Sequence, residues 1–247
     1  MTFKMQKRPV VVLQLPTDPD DFAKNLRRLC EAVDATPQDA VVVTPEVCLT
    51  GYPYDRMDEA ASITDEALEE MLKRSMGRIV TLTAIVKEAG RFYNRTFVMS
   101  DGEVVHEQDK IRLFLLGDED KYFTAGNEEK MKIFEAGGMR LGMMVCFELR
   151  YAEFWLRLRG ADMILVPARW GLPRKKHLEI LPQALAIADQ CYVALANSAD
   201  DDMARSSAIV GPNGDKISND SAERIETLLD QREIRKIRRY IRMGVFG

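Results

Sequence analysis

The decapeptide LGMMVCFELR, residues 141–150, climbs through an apolar run to Cys146 and turns charged within two residues. Residues 140–145 read as a buried strand, and ELRYAEFWLRLRG after them reads as a helix. Cys146 therefore stands at a strand-to-helix corner. Worked outward, the same strand-to-helix step recurs along the chain. Val/Leu-rich strands are expected at 9–15, 40–44, 163–166 and 192–196. Helical spacing marks 21–35, 64–76, 151–159 and 175–189. Strands are expected at 78–86 and 91–100, and turn signals join 91–100 to 103–107, 131–135 to 140–145 and 207–210 to 216–218. Residues 110–129 read as irregular with a short helix, and 224–242 as wholly or partly helical. Alternating strands and helices with interspersed hairpins argue for a single α/β domain over 1–247 with mixed sheets.

The bulk composition narrows the function. Of 247 residues, 46% are apolar and 30% charged, which suits a packed globular core and excludes a disordered chain. A net charge of −4 without a basic domain argues against a nucleic-acid or anionic-membrane binder. The basic QREIRKIRRYIR near the end carries Ile234, Ile237 and Ile241 at helical spacing, so the 224–247 segment is expected to pack on the domain or on a partner subunit. The four cysteines, Cys30, Cys48, Cys146 and Cys191, have neither metal-site nor thioredoxin-like spacing, which fits a reducing compartment. The apolar run VVVLQL is too short for a signal h-region or a membrane span, so a cytoplasmic protein is expected.

Cys146 is either a small packed apolar side chain or a nucleophile. The corner favours the second use, because a helix N-terminus stabilises thiolate over thiol. A nucleophilic cysteine needs a base. Neither of the two histidines, His106 and His177, has flanks that support that role. Glu46, in AVVVTPEVCLTGYP, follows a buried strand and a proline bend among apolar neighbours. It either opens a solvated loop or is shielded, and shielding would raise its pKa toward neutrality, as a general base requires. A shielded glutamate needs a cation. Lys110 leads into Ile111, Leu113 and Phe114 and is the candidate, though it also fits a surface lysine.

Together these stretches resemble the nitrilase, or carbon–nitrogen hydrolase, superfamily, in its amidase-like branch, in order and over nearly the whole chain. VVVTPEVCLTGYP resembles the glutamate block and implies a catalytic Glu46. DKIRLFLLGDEDKYFTAG resembles the lysine block and implies catalytic Lys110 and supporting Glu119. LGMMVCFELRYAEFWLRLRGADMILVPARW resembles the cysteine block and implies Cys146 as nucleophile. HLEILPQALAIADQCYVALAN and SSAIVGPNGD resemble the closing helix-strand and hairpin. The chain departs from the family pattern at Glu148, where aspartate is usual, at Tyr151-Ala152-Glu153, and at Asp189. The resemblance implies a four-layer α-β-β-α sandwich of two mixed sheets, paired as a homodimer or larger assembly.

It also implies a cysteine-dependent hydrolase of a small linear amide, of ω-amide or N-carbamoyl amine type. Glu46 would move protons, while Lys110 and the backbone N–H of Phe147 would hold the oxyanion. Glu119 would orient Lys110 or the substrate amide. No metal or cofactor is required. Arg169 and Trp170 are candidates for the pocket wall, and an arginine there suits a carboxylate-bearing amide, although a surface role for Arg169 stays open. Tyr52, Tyr54, Phe114 and Arg150 are further pocket candidates, and Arg150 equally fits a structural ion pair. Two rival readings are a non-catalytic binding or assembly module and acyl transfer to an amine. The intact Glu46, Lys110 and Cys146 argue against the first, and no membrane anchor is expected to support the second.

Overall fold

The computed structural model describes residues 7–244. In chain order its first half comprises β1 (Lys7–Leu13), α1 (Phe22–Asp34), β2 (Val41–Val43), α2 (Met57–Ser62), α3 (Thr64–Arg74), β3 (Ile79–Glu88), β4 (Arg91–Ser100) and β5 (Glu103–Asp109). The second half comprises α4 (Glu119–Tyr122), β6 (Phe134–Ala136), β7 (Met139–Met143), α5 (Ala152–Leu158), β8 (Met163–Ala168), α6 (Lys175–Asp189), β9 (Tyr192–Asn197), β10 (Ala208–Val210), β11 (Lys216–Ser218), β12 (Arg224–Asp230) and α7 (Gln231–Tyr240).

Two six-stranded sheets result, ordered β12-β1-β2-β3-β4-β5 and β11-β10-β9-β8-β7-β6. In each, three consecutive parallel strands form the centre, β1-β2-β3 in one and β7-β8-β9 in the other, with antiparallel strands on the flanks. The two-residue period of the strands sorts their side chains between layers. Val10, Val12, Val41 and Val43 meet Leu141, Met143, Met163 and Leu165 between the sheets. Val11, Leu13 and Val42 face outward against Leu26, Leu29 and Val33 of α1 and Met71 of α3. Ile164, Val166, Val193 and Leu195 face outward against Phe154 and Leu158 of α5 and Leu178 and Leu185 of α6. The layers are therefore α-β-β-α, and the central strands are buried on both faces, which explains their continuous apolar runs. Gly142 allows the close approach of α5, since a Cβ there would meet both Leu158 methyl groups at 3.1 Å.

Three elements differ from the sequence reading, the short α2, for which no helix was expected, among them. Residues 224–230 form β12 rather than helix, paired antiparallel with β1 from Arg224↔Leu13 to Asp230↔Lys7. Ile225 and Leu229 enter the inter-sheet core, so edge pairing outweighed the helical pattern that begins only at Gln231. Ile234 and Arg238 are the buried positions of α7, whereas Ile241 is exposed. Residues 245–247 of the expected packing segment lie outside the described residues. The helix expected directly after Cys146 begins as a 3₁₀ turn, Cys146–Arg150, before α5. Among the described residues, no helix is long and apolar enough to cross a membrane.

Candidate active site

Three strand ends bring the predicted groups together. Glu46 lies three residues beyond β2, and its N–H donates to Ala168 O at 3.2 Å, tying the end of β2 to the end of β8 in the other sheet. The next residue, Val47, has φ +42°. A β-branched residue rarely adopts that conformation, so the bend is held by its surroundings. Lys110 follows β5 directly, and its N–H donates to Asn94 O at 2.8 Å. The returning loop closes on it through Gly126 N–H to Lys110 O at 2.9 Å. Gly126 must be glycine for this approach, because a Cβ would stand 2.3 Å from Asp109 O. Cys146 lies beyond β7 with φ +50°, a sharp elbow at the start of the 3₁₀ turn.

Lys110 is fully buried, and its Nζ donates to Glu46 Oε1 at 2.8 Å and Glu119 Oε1 at 2.7 Å. Glu119 accepts also from Phe114 N–H at 3.0 Å, which pins the loop after β5 around the lysine. Glu46 Oε1 receives two further donors, the Tyr52 hydroxyl at 2.7 Å and Asn94 Nδ2 at 2.9 Å. Glu46 Oε2 accepts the Arg169 backbone N–H at 3.1 Å. The Cys146 thiol lies within hydrogen-bonding reach of the Glu46 carboxylate and of that same Arg169 N–H.

The charges settle accordingly. Burial alone would push the Glu46 carboxyl up, but the Lys110 charge and hydrogen bond, with Tyr52 and Cys146, hold it below its ordinary value. This is the reverse of the rise expected from sequence, because the buried glutamate is amply supplied with donors. Glu119 is raised instead, by burial and against the pull of Lys110, with the Glu46 charge adding to the rise. Lys110 is raised despite burial, held protonated by Glu46 and Glu119. Burial and the neighbouring Glu46 charge push the Cys146 thiol well up. The resting site is thus thiol, carboxylate and ammonium. A buried corner followed by a five-residue 3₁₀ turn does not supply the thiolate stabilisation expected of a helix N-terminus.

Cys146 opens into a cavity of about 450 Å³. Tyr52, Tyr54, Phe114, Phe147, Trp170 and Met203 form much of its wall, and Glu119, Arg150, Arg169, Arg174 and Asp202 also reach it. Among the described residues, no group of three or more His, Cys, Asp or Glu side chains is arranged to hold a metal ion.

The sequence profile described as Carbon-nitrogen hydrolase matches residues 10–242. This chain belongs to the carbon–nitrogen hydrolase family. It is similar to a 2-oxoglutaramate amidase of Bacillus subtilis, 30% identical over 215 residues, covering 81% of this chain and 82% of that protein. It is equally similar to the omega-amidase YafV of Escherichia coli K12, 30% identical over 242 residues, covering 93% and 92% respectively. Among solved structures, XC1258 from Xanthomonas campestris, a CN-hydrolase superfamily protein, superposes with a TM-score of 0.85 at 21% identity over 96% of each chain. The protein is accordingly a hydrolase acting on non-peptide C–N bonds.

The remaining predicted residues of this hydrolase take distinct places. Arg169 reaches the cavity, but its guanidinium is ion-paired with Asp200 and donates to Thr17 Oγ1 at 3.1 Å and Ser198 Oγ at 3.3 Å. Its backbone N–H, rather than its side chain, faces the Glu46 carboxylate. The Arg150 guanidinium lies 4.9 Å from the centre of the Trp170 ring and 2.9 Å from His177 Nδ1, and it has no carboxylate partner among the described residues. Phe147 packs on Phe114 and Tyr151 at ring-centre distances of 5.1 and 5.5 Å. Glu148 is fully buried and absent from the cavity wall. Its Oε1 accepts Ile111 and Arg112 N–H at 2.6 and 3.2 Å, and its Oε2 accepts Val145 N–H at 2.7 Å. It therefore clamps the lysine loop to the cysteine strand. Burial pushes it up to about 7 against those three donors.

Sequence reasoning missed Asn94 and Arg174. Asn94 sits mid-strand in β4, with nothing local to mark it. Arg174 lies five residues after Arg169, in GLPRKK, where a surface loop is the ordinary reading.

Proposed function

We propose that the protein hydrolyses the ω-amide of a short dicarboxylic acid through a thioester on Cys146. The observation that carries this is the convergence of Glu46, Lys110 and Cys146 from three separate strand ends, with Cys146 opening into the cavity and the other two buried behind it. The names of the similar amidases, from Bacillus subtilis and Escherichia coli, support the ω-amide over an N-carbamoyl amine.

Three donors hold Glu46 Oε1, whereas Oε2 accepts only the Arg169 N–H, so Oε2 is the oxygen with a lone pair left to take the thiol proton. As Sγ attacks the amide carbon, that proton passes to Glu46 and an oxyanion develops. The Lys110 ammonium is one fixed donor for it. The Phe147 N–H is the second, since the first N–H groups of a helical turn lack partners within it. Glu46 then returns the proton to the leaving nitrogen, ammonia departs and the C–N bond is replaced by a C–S bond. Water, deprotonated by Glu46, attacks the thioester, which releases the acid and restores the thiol. Glu119 keeps Lys110 charged and aimed. The depressed Glu46 pKa suits a base already ionised at neutral pH. The raised thiol pKa means that thiolate forms with attack rather than before it.

The same reading places the protein in a reducing cytoplasm, as a homodimer or larger assembly. All four cysteines being free supports the compartment. Exposed Ile180 and Ile187 on α6 support an assembly face.

The test is ammonia release from glutaramate, a five-carbon monoamide, by wild type and by Cys146→Ala, with intact mass spectrometry of the quenched wild type. Ammonia from wild type alone and an acyl adduct on Cys146 are expected. Equal release by the alanine variant would sink the thioester route.

A further inference from the structure

We propose that Arg174, assisted by Arg150, is the carboxylate subsite of this cavity and reads the acid end of the substrate while the amide end lies at Cys146. The assignment rests on the amidase reading and adds the residues that set its specificity.

Two of the other charges in the cavity already have partners. Glu119 is compensated by Lys110 at 2.7 Å. The Arg169 guanidinium is occupied by Asp200, Thr17 and Ser198. Arg150 and Arg174 are different, because neither has a carboxylate partner among the described residues. Arg174 is held instead by an aromatic ring, and Arg150 by a ring and by His177 Nδ1, 2.9 Å from its Nη2, which occupies part of its donor edge. Arg150 lies 4.9 Å from the centre of Trp170, and Arg174 lies 4.9 Å from the centre of Phe114. A ring engages the face of a guanidinium and leaves its edge of N–H donors available. That edge matches a carboxylate in two parallel hydrogen bonds. Phe114 and Trp170 are themselves cavity walls, so the rings that support the cations also flank the bound substrate.

Arg174 is partly buried and Arg150 exposed. Solvent screens an exposed pair more strongly, so Arg174 carries the larger share. Its Nη2 would lie 3.2 Å from a Cβ placed on Gly171, so a glycine leaves the guanidinium its room beside the cavity wall. Asp202 is the opposing charge on the rim and is exposed. It disfavours a second carboxylate on its own side and so gives the site a direction. Tyr52, Tyr54, Phe147 and Met203 supply an otherwise apolar-walled channel suited to the short methylene chain between the two ends.

The test compares glutaramate with its methyl ester, which keeps the length and amide and removes the charge. Ammonia release is followed for wild type, Arg174→Met, Arg174→Lys and Arg150→Met. Wild type is expected to prefer the acid. Arg174→Met is expected to lower the acid-to-ester ratio of kcat/KM by about 10- to 100-fold, the size of a lost charge-assisted hydrogen-bonded pair, mostly through KM. Arg174→Lys, which keeps the charge without the fork, recovers part of that ratio. Arg150→Met gives a smaller fall. A wild type without preference, or a ratio unmoved by Arg174→Met, overturns the assignment. Calorimetric titration of glutarate into Cys146→Ala and Cys146→Ala/Arg174→Met separates this from the amidase reading. Arg174-dependent glutarate binding without ammonia release from either substrate would refute hydrolysis and uphold the subsite. Ammonia release with Arg174-independent glutarate binding would do the opposite.

Discussion

Tyr52→Phe isolates the electrostatics of the base. The substitution keeps the ring that packs 5.9 Å from both Tyr54 and Phe123 and removes only the hydroxyl that donates to Glu46 Oε1 at 2.7 Å. No donor is stranded by the change. Asn94 Nδ2 keeps Glu46 at 2.9 Å, and Lys110 keeps Glu46 and Glu119 at 2.8 and 2.7 Å. A hydrogen bond to a charged acceptor is worth about 1.5–3 kcal/mol, and each pKa unit corresponds to about 1.4 kcal/mol. The hydroxyl favours the ionised carboxylate, so its loss raises the Glu46 pKa. The acidic limb of kcat/KM, which follows ionisation of the base in the free enzyme, moves to higher pH by about one to two pH units. The assay is ammonia release from glutaramate between about pH 4 and 9 for both proteins, with the limbs fitted separately. A uniform fall at every pH with the limb in place would refute the reasoning, because Tyr52 would then be contributing to the pocket and not to the base.

Lys110→Met leaves the Glu46 and Glu119 carboxylates buried together without their shared cation, so activity is lost and unfolding in urea shows a loss of about 3–5 kcal/mol. A stability unchanged from wild type would mean that the two carboxylates do not depend on that ammonium. Glu148 has its folded pKa raised from 4.5 to about 7, so the stability it contributes is full below pH 4.5 and is lost as pH rises through 7. The span corresponds to about 3 kcal/mol. Glu148→Gln should abolish that fall, and it should lower stability throughout because the amide nitrogen cannot accept the Val145 N–H. Parallel unfolding-midpoint curves for the two proteins between pH 4.5 and 7.5 would show that burial of Glu148 does not govern its ionisation.

Much of the architecture was legible because it is written in short-range periodicity. Val10 to Leu13 and Val41 to Val43 are continuous apolar runs that only a strand buried on both faces accommodates, and α1 shows its stripe of Phe22, Leu26, Leu29 and Val33. β12 was not legible, because Arg224 to Asp230 gain their strand identity from pairing with β1 some two hundred residues earlier. The short α2 also escaped notice, since it shows only Met57 and Ala60 as buried positions. The site divides in the same way. Glu46 and Cys146 stand out as polar groups at the ends of apolar strands, and Lys110 as a lysine leading from the polar β5 into an apolar run. Asn94 and Arg174 do not, because their significance lies in neighbours far away in sequence.

By itself the sequence determined which chemistry is available: a thiol, a carboxylate and an ammonium, each delivered by a strand that its own residues specify. Only the tertiary structure decided what those groups are charged as and which neighbours they serve. It lowered Glu46 where isolation from water alone would have raised it, and kept Cys146 a thiol. It gave the side chain of Arg169 to Asp200 and left Arg174 facing the cavity without an acidic partner among the described residues. The physical reason is that ionisation and ion pairing depend on distances of a few ångströms between groups separated by scores of residues, and folding alone sets those distances.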